Sequence, residues 1–490
     1  MNSKIKKSVL IGLGIILGWL LYPVFRVGIF YFTDPILDSK DFLTEQTVND
    51  ASQVNQTGHG GVIHLSSDLN QSVVLIREAL ERAKKEGLKI MPMGSRHSMG
   101  KQSFQDGALL LNTLPMNGME MDGSFLKVQA GARWFEVIRF LADLGLTVEI
   151  MQSNADFSVG GTLSVNAHGW QPGRPPVASS VEKISVLMQS GEVQICSRTE
   201  NADLFRHVLG GYGLFGVILE AWIRPVPNKV LQSQSREVKT ENFLTAWKQI
   251  SEEGAELAYG RLSVAPATFF ESVWLTRYLP VGEEIARNPE PYSIDGKARL
   301  SRAIFRASVN SDRGKSFRHW MERSFGGELS GTSPRSRLLS EPAKVFGNHD
   351  PSKRDLLLEY FVPMDQFSIF VKKAAPVIRR EYDSLLNVTV REIARDVDSA
   401  LPYAREDMFG LVMLFTIDRT LESEKGISEM AGQLIELADS LRGTFYLPYR
   451  NFATPEQIRR SYPGFSAFLA KKEELDPREI FSSGFYQQYR

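Results

Sequence analysis

Three glycine-rich stretches, each set against a short apolar run, constrain this chain more than any other feature. The central one, residues 156–170, reads D-F-S-V-G-G-T-L-S-V-N-A-H-G-W. With no Cβ at its glycines, the backbone there lets something flat and phosphorylated approach closely. Upstream, residues 90–100 form a short apolar strand running into a Gly/Ser loop that carries a histidine. Downstream, residues 209–219 hold four glycines within seven positions and then a β-branched strand. A single Gly-Gly pair reads equally well as a tight turn into a buried helix, and a single histidine as a core or surface residue. Glycine loops at strand ends also put backbone N–H groups where they can hold a pyrophosphate without lysines. The spacing does not fit G-x-G-x-x-G opening a βαβ unit, which disfavours a Rossmann fold.

In this order the three stretches resemble the FAD-binding domain of the vanillyl-alcohol oxidase (PCMH-type) flavoprotein superfamily. Its loops take the forms G-x-G-H-S or G-x-R-H-S, V-G-G-x-[LI]-x-x-x-x-H-G and G-x-x-G-[LV]-[FVI]-G-[VI]-[IV]. The likeness covers roughly residues 60–228 and, within the superfamily, is to the aldonolactone, alditol and decaprenylphosphoryl-ribose oxidases. It implies that FAD is held by Met93, Gly94, Ser95, Arg96, His97 and Ser98 in the first loop. In the second it implies Ser153, Asn154, Gly160, Gly161, Thr162, Asn166, His168 and Gly169, and in the third Gly216, Val217 and Ile218. His97 matches the position at which many of these enzymes carry FAD covalently. Arg96 replaces the second glycine of the commoner loop and could serve the pyrophosphate, so covalent and noncovalent binding both stay open.

Alcohol oxidation requires hydride delivery to flavin N5 while a base removes the hydroxyl proton, so polar groups must surround the substrate oxygen. In the alditol oxidases a Glu-x-Arg pair on a cap strand and a lysine on the C-terminal strand do this. Residues 388–396, V-T-V-R-E-I-A-R-D, resemble that cap strand, with Arg391 on the arginine and Thr389 on the glutamate. The lysine position is Tyr449, with Arg450 beside it. Arg391, Tyr449 and Arg450 are therefore the catalytic candidates, although Arg391 reads equally as a structural cation paired with Glu392 or Asp396. The resemblance implies oxidation of a CH–OH group in a sugar, sugar lactone or lipid-linked sugar, with oxygen, a quinone or another carrier taking the electrons. A C=C reductase of a sterol-like lipid, and a flavin-binding partner of a membrane complex without turnover, are the alternatives.

At 490 residues the chain exceeds the roughly 250–300 at which one core stops growing, so two domains are expected. Lys+Arg and Asp+Glu balance at 57 each, which leaves no global basic field for a nucleic-acid partner. One cysteine, Cys196, excludes an intramolecular disulfide and lies in an alternating stretch that reads as a buried strand. No Cys-based metal cluster is possible.

Residues 8–22 carry no charge, and a second apolar run follows Arg26. With Lys4, Lys6 and Lys7 ahead of them, they read as a single-pass transmembrane anchor in which Arg26 snorkels, the catalytic part lying outside the cytoplasm. A cleaved signal peptide is the other reading. The expected fold class is α+β: an anchor (1–33), a tether (34–60), a two-subdomain PCMH-type FAD-binding domain (61–228), an α+β substrate or cap domain (229–440) and a C-terminal return (441–490). Residues 299–344 are arginine-rich, which reads either as solvated helix faces or as a patch for lipid headgroups or a phosphorylated substrate.

Overall fold

In the computed structural model, which describes residues 18, 21–34, 36, 43–287, 294–325 and 331–490, strands Gly61–His64 and Ile90–Met93 flank Leu109–Asn112 in a parallel sheet. The central strand is buried at every position, as a parallel strand covered on both faces must be. Helix Leu69–Glu86 makes the crossover. Asp68 caps it by accepting from Gln71 N at 2.9 Å. Its buried stripe is Ser72, Ile76, Ala79, Leu80 and Ala83, at helical spacing. Val74 is 51% exposed because it lies some 200° around the axis from Ser72.

A five-stranded antiparallel sheet follows, in the order Val193–Ser197, Val181–Leu187, Val217–Ile223, Phe125–Gln129, Met119–Asp122. The first two strands of that order form a hairpin, with Val193 opposite Leu187. Cys196 is buried on its outer strand, where burial and Glu200 push the thiol up to about 12.

The rest of the chain builds an eight-stranded antiparallel sheet: Thr332–Pro334, Lys229–Lys239, Ser272–Ile285, Leu257–Leu262, Leu385–Ile393, Met408–Asp418, Lys353–Pro363, Thr444–Phe445. Strand alternation gives the sheet two chemically different faces. One is covered by helices: Phe409, Phe243 and Phe367 pack on one another at ring separations of 4.8–5.2 Å, and Tyr360 donates to Ala431 O. The opposite face carries Glu359, Thr389, Arg391 and Val412 and looks toward the glycine loops. The molecule is thus α+β.

Several expectations change here. Residues 43–60 are packed rather than loose: Val48 is fully buried, and buried Asn55 bonds Asp50 and Met99 O. The arginine-rich segment is neither a solvated face nor an open patch at its key positions. Arg302, Arg306 and Arg335 are buried and paired with Asp34, Asp355 and Glu256. The transmembrane helix and the membrane localisation built on it are overturned: among the described residues no helix is long and apolar enough to cross a membrane. In the helical stretch 21–33, Arg26 does not snorkel but donates to Val309 O at 2.6 Å, and Val27 packs on Ala303 and Ala307. Residues 1–17 and 19–20 of the expected anchor lie outside the described residues.

The C-terminal segment closes on the first sheet. Asp476 accepts from the Ile480 and Phe481 amides and from Lys472, and Ile90 N donates to Ile480 O. Nearby, Met99 N donates to Pro448 O and Gln102 Nε2 to Leu447 O, which ties residues 447–449 to the histidine loop.

Candidate active site

Between the glycine loops and the inner face of the large sheet lies a cavity of about 1080 Å³. Its loop wall depends on two close approaches. A Cβ at Gly94 would collide with Ser158 Oγ, so the first and second loops touch only because this residue is glycine. Gly216 has φ 141°, and a Cβ there would strike Val186. Arg96, standing where the commoner motif has glycine, keeps the left-handed conformation at φ 57°.

Met93, Gly94, Ser95, Arg96, His97 and Ser98 line the cavity, as do Ser153, Asn154, Gly160, Gly161, Thr162, His168, Gly216 and Ile218. Asn166, Gly169 and Val217 do not. Asn166 donates to Asp396 and accepts from Ala178 N, which pins the second loop to the segment after strand Leu385–Ile393. Gly169 is wedged against Gln171 and Met151 O, and Val217 belongs to the core beneath the loops.

The loop wall suits a long ligand rich in acceptor and donor atoms. Ser95 Oγ and Ser158 Oγ are buried without a hydrogen-bond partner among the described residues, a costly state that a bound phosphate or ribose relieves. Thr162 Oγ1 is fixed by Trp134 Nε1 at 2.7 Å and Gln152 Oε1 at 3.2 Å. His97 stacks on Phe157 with ring centroids 4.1 Å apart. Burial, Arg96 and Arg133 lower its pKa to about 4, so at neutral pH the imidazole is uncharged and one ring nitrogen keeps its lone pair.

Across the cavity stands a polar cluster. Arg391 Nη2 donates to Ser153 Oγ at 2.6 Å, joining sheet and second loop, and Arg391 Nε is buried with no partner among the described residues. The carboxylates weighed as its structural partners are engaged elsewhere, Glu392 by Trp247 and Gly173, Asp396 by Asn166 and Ser399. His168 Nε2 lies 2.7 Å from Glu359 Oε1, both residues buried. Since a carbonyl only accepts, the contact of Nδ1 with Gly169 O at 3.2 Å puts a proton on Nδ1. A second proton then lies between Nε2 and Oε1. Burial and Glu359 raise the Tyr449 phenol well above the ordinary tyrosine range, so it stays protonated and donates. Arg450 does not line the cavity: it is held by Glu424 and Asn55.

Glu359 was not reached by reading motifs. Its signal was nonetheless in the sequence, as one carboxylate inside the apolar run Leu356-Leu357-Leu358-Glu359-Tyr360-Phe361-Val362. A charge in a buried strand must be paired or used.

Comparison with known proteins gives this geometry a context. The sequence profile of the FAD binding domain matches residues 71–197. D-arabinono-1,4-lactone oxidase of Debaryomyces hansenii is 27% identical over 190 residues, covering 36% of this chain and 34% of that protein. Cytokinin dehydrogenase 2 of Arabidopsis thaliana is 32% identical over 178 residues, covering 36% of this chain and 35% of its own. The chain spans about a third of the length of the curated relatives it matches.

Proposed function

We propose that this chain, which carries an FAD-binding domain over residues 71–197, is an FAD-dependent oxidoreductase acting on a CH–OH group of a sugar or sugar lactone. The observation that carries this reading is one cavity with the flavin-type loops on one wall and Arg391, Glu359, His168 and Tyr449 on the other. Bound flavin supplies a hydride acceptor at N5. Arg391 stabilises the developing alkoxide, Glu359 receives the hydroxyl proton with His168 Nε2 adjusting the shared proton, and Tyr449 orients the same oxygen through its O–H. Serine and threonine hydroxyls at Ser233, Ser235 and Thr276 and the ring of Trp274 line the remaining cavity, a surface that suits a polyhydroxylated ring. Ile304, Phe305 and Met321 leave an apolar flank, which suits a lipid-linked sugar as a second reading. The relatives named D-arabinono-1,4-lactone oxidase support the lactone class, and oxygen, a quinone or another carrier takes the electrons.

The purified protein is expected to be yellow, or to become so on adding FAD, and its flavin absorbance to bleach when aldonolactones or aldoses are added without oxygen. Folded protein that takes up no FAD would sink the reading. For His97 the proposal is covalent attachment, since a neutral imidazole has the lone pair that bond formation needs. Acid-precipitated wild type should then keep its flavin fluorescence while His97→Ala releases it. Release of free FAD from both would show that His97 only lines the pocket.

A further inference from the structure

We propose that Arg261 and Arg391, which flank Thr389 on the cavity face of the large sheet, form a subsite for an oxyanionic group on the substrate, a carboxylate or a phosphate. The inference rests on the sugar-oxidising reading of the same cavity. Arg261 lies on strand Leu257–Leu262 directly opposite Thr389, and Arg391 is two residues along from Thr389. Period-two alternation therefore projects all three from one face, and all three line the cavity.

The partners of these groups leave positive charge unspent. Arg261 Nη1 donates to Glu322 Oε1 at 2.6 Å, but the same oxygen also accepts from Arg318 Nε at 3.3 Å. Arg318 places its other nitrogens on Leu386 O and Asn387 Oδ1, at 2.8 and 2.7 Å. One carboxylate thus serves two guanidiniums. Thr389, between the arginines, is neutral, and its hydroxyl accepts from Asn387 Nδ2 at 2.9 Å. Glu359, the carboxylate beside Arg391, gives Oε1 to His168 and makes no ion pair with either arginine among the described residues. Arg261 Nε and Arg391 Nε are both buried and have no partner among the described residues. A cation held out of water without its full set of acceptors is costly, and an arriving oxyanion supplies those acceptors through charge-assisted bonds.

The experiment uses flavin-loaded protein and three probes titrated calorimetrically: neutral D-arabinono-1,4-lactone, the carboxylate D-arabinonate and the phosphate ester D-arabinose 5-phosphate. At least one anion should bind about ten- to a hundred-fold more tightly than the lactone, with the gap narrowing as salt is added. Whichever anion shows the gap identifies the group. Arg261→Gln should close it. Thr389→Glu, which sets a protein carboxylate between the guanidiniums and leaves both arginines in place, should close it as well and reads the subsite if Arg261→Gln does not fold. Equal binding of all three probes, no binding of either anion, or a gap that survives Thr389→Glu overturns the subsite. The two readings fail separately. Neutral sugars that bleach the flavin with no affinity gap defeat the subsite alone, and an anion that binds with the gap while neither it nor any aldonolactone or aldose bleaches the flavin defeats the oxidoreductase reading alone.

Discussion

Arg391→Ala is expected to lower the rate of flavin reduction by about 10²–10³ while the protein keeps its FAD, because a positioned charge at a developing alkoxide is typically worth that much. Separation of the two effects follows from where the residue sits. Arg391 is on strand Leu385–Ile393 of the large sheet, across the cavity from Gly94, Gly160 and Gly216, and its link to the flavin-type loops is one hydrogen bond to Ser153 Oγ. Burial lowers its pKa from the ordinary guanidinium value while Glu359 and the nearby phenols hold it up, so the cation persists at neutral pH. Arg391→Lys should recover part of the rate only, since lysine lacks the planar fork that can hold Ser153 and a substrate oxygen at once. Rapid-reaction measurement of flavin bleaching, with flavin content from the visible spectrum, separates the outcomes. Unchanged bleaching in Arg391→Ala would make the residue a strut between sheet and loop.

The parts of this molecule that were legible in the sequence are those whose signal is local. Glycines clustered in three short stretches declare the loops, and the short strands beside them follow, although the atoms that demand glycine at 94, 160 and 216 belong to Ser158, Ala130 and Val186, far along the chain. The strand burial of Cys196 comes from period-two alternation, equally local. What failed was set by distant partners. Nothing near Arg26 indicates that Val309 O, 283 positions away, will take its guanidinium in place of lipid headgroups. Arg302 and Arg335 look like surface charges until Asp34 and Glu256 are brought to them. Arg450 stands beside Tyr449 in the chain, yet consecutive residues need not face the same way, and it turns to Glu424. Glu359 and His168 meet across 191 residues, and only the pairing of strand Lys353–Pro363 into the sheet tells which wall the carboxylate joins.

That carboxylate carries the second large effect. Glu359→Gln is expected to slow flavin reduction by about 10²–10⁴, the range for a positioned general base, with little change in flavin uptake. The argument runs through the neighbouring groups. Tyr449 is held protonated by burial and by Glu359, so its phenol is not the base. Arg391 remains a cation and has no site to accept a proton. Glu359 faces the cavity, and its Oε1 shares a proton with His168 Nε2 at 2.7 Å, while Nδ1 is fixed on Gly169 O. Glutamine keeps the side-chain volume and can still bond His168 but cannot take up a proton, so the substitution removes the base without opening a cavity. His168→Gln should cost less, because it leaves the carboxylate in place and removes only its orienting partner. Rapid-reaction bleaching measured beside flavin content divides a base from a strut: Glu359→Gln should lose rate at full flavin content, and Glu359→Asp, which keeps a carboxylate, should recover part of it. A Glu359→Gln enzyme that is slower by less than tenfold would assign the proton to another group and leave Glu359 the task of holding His168.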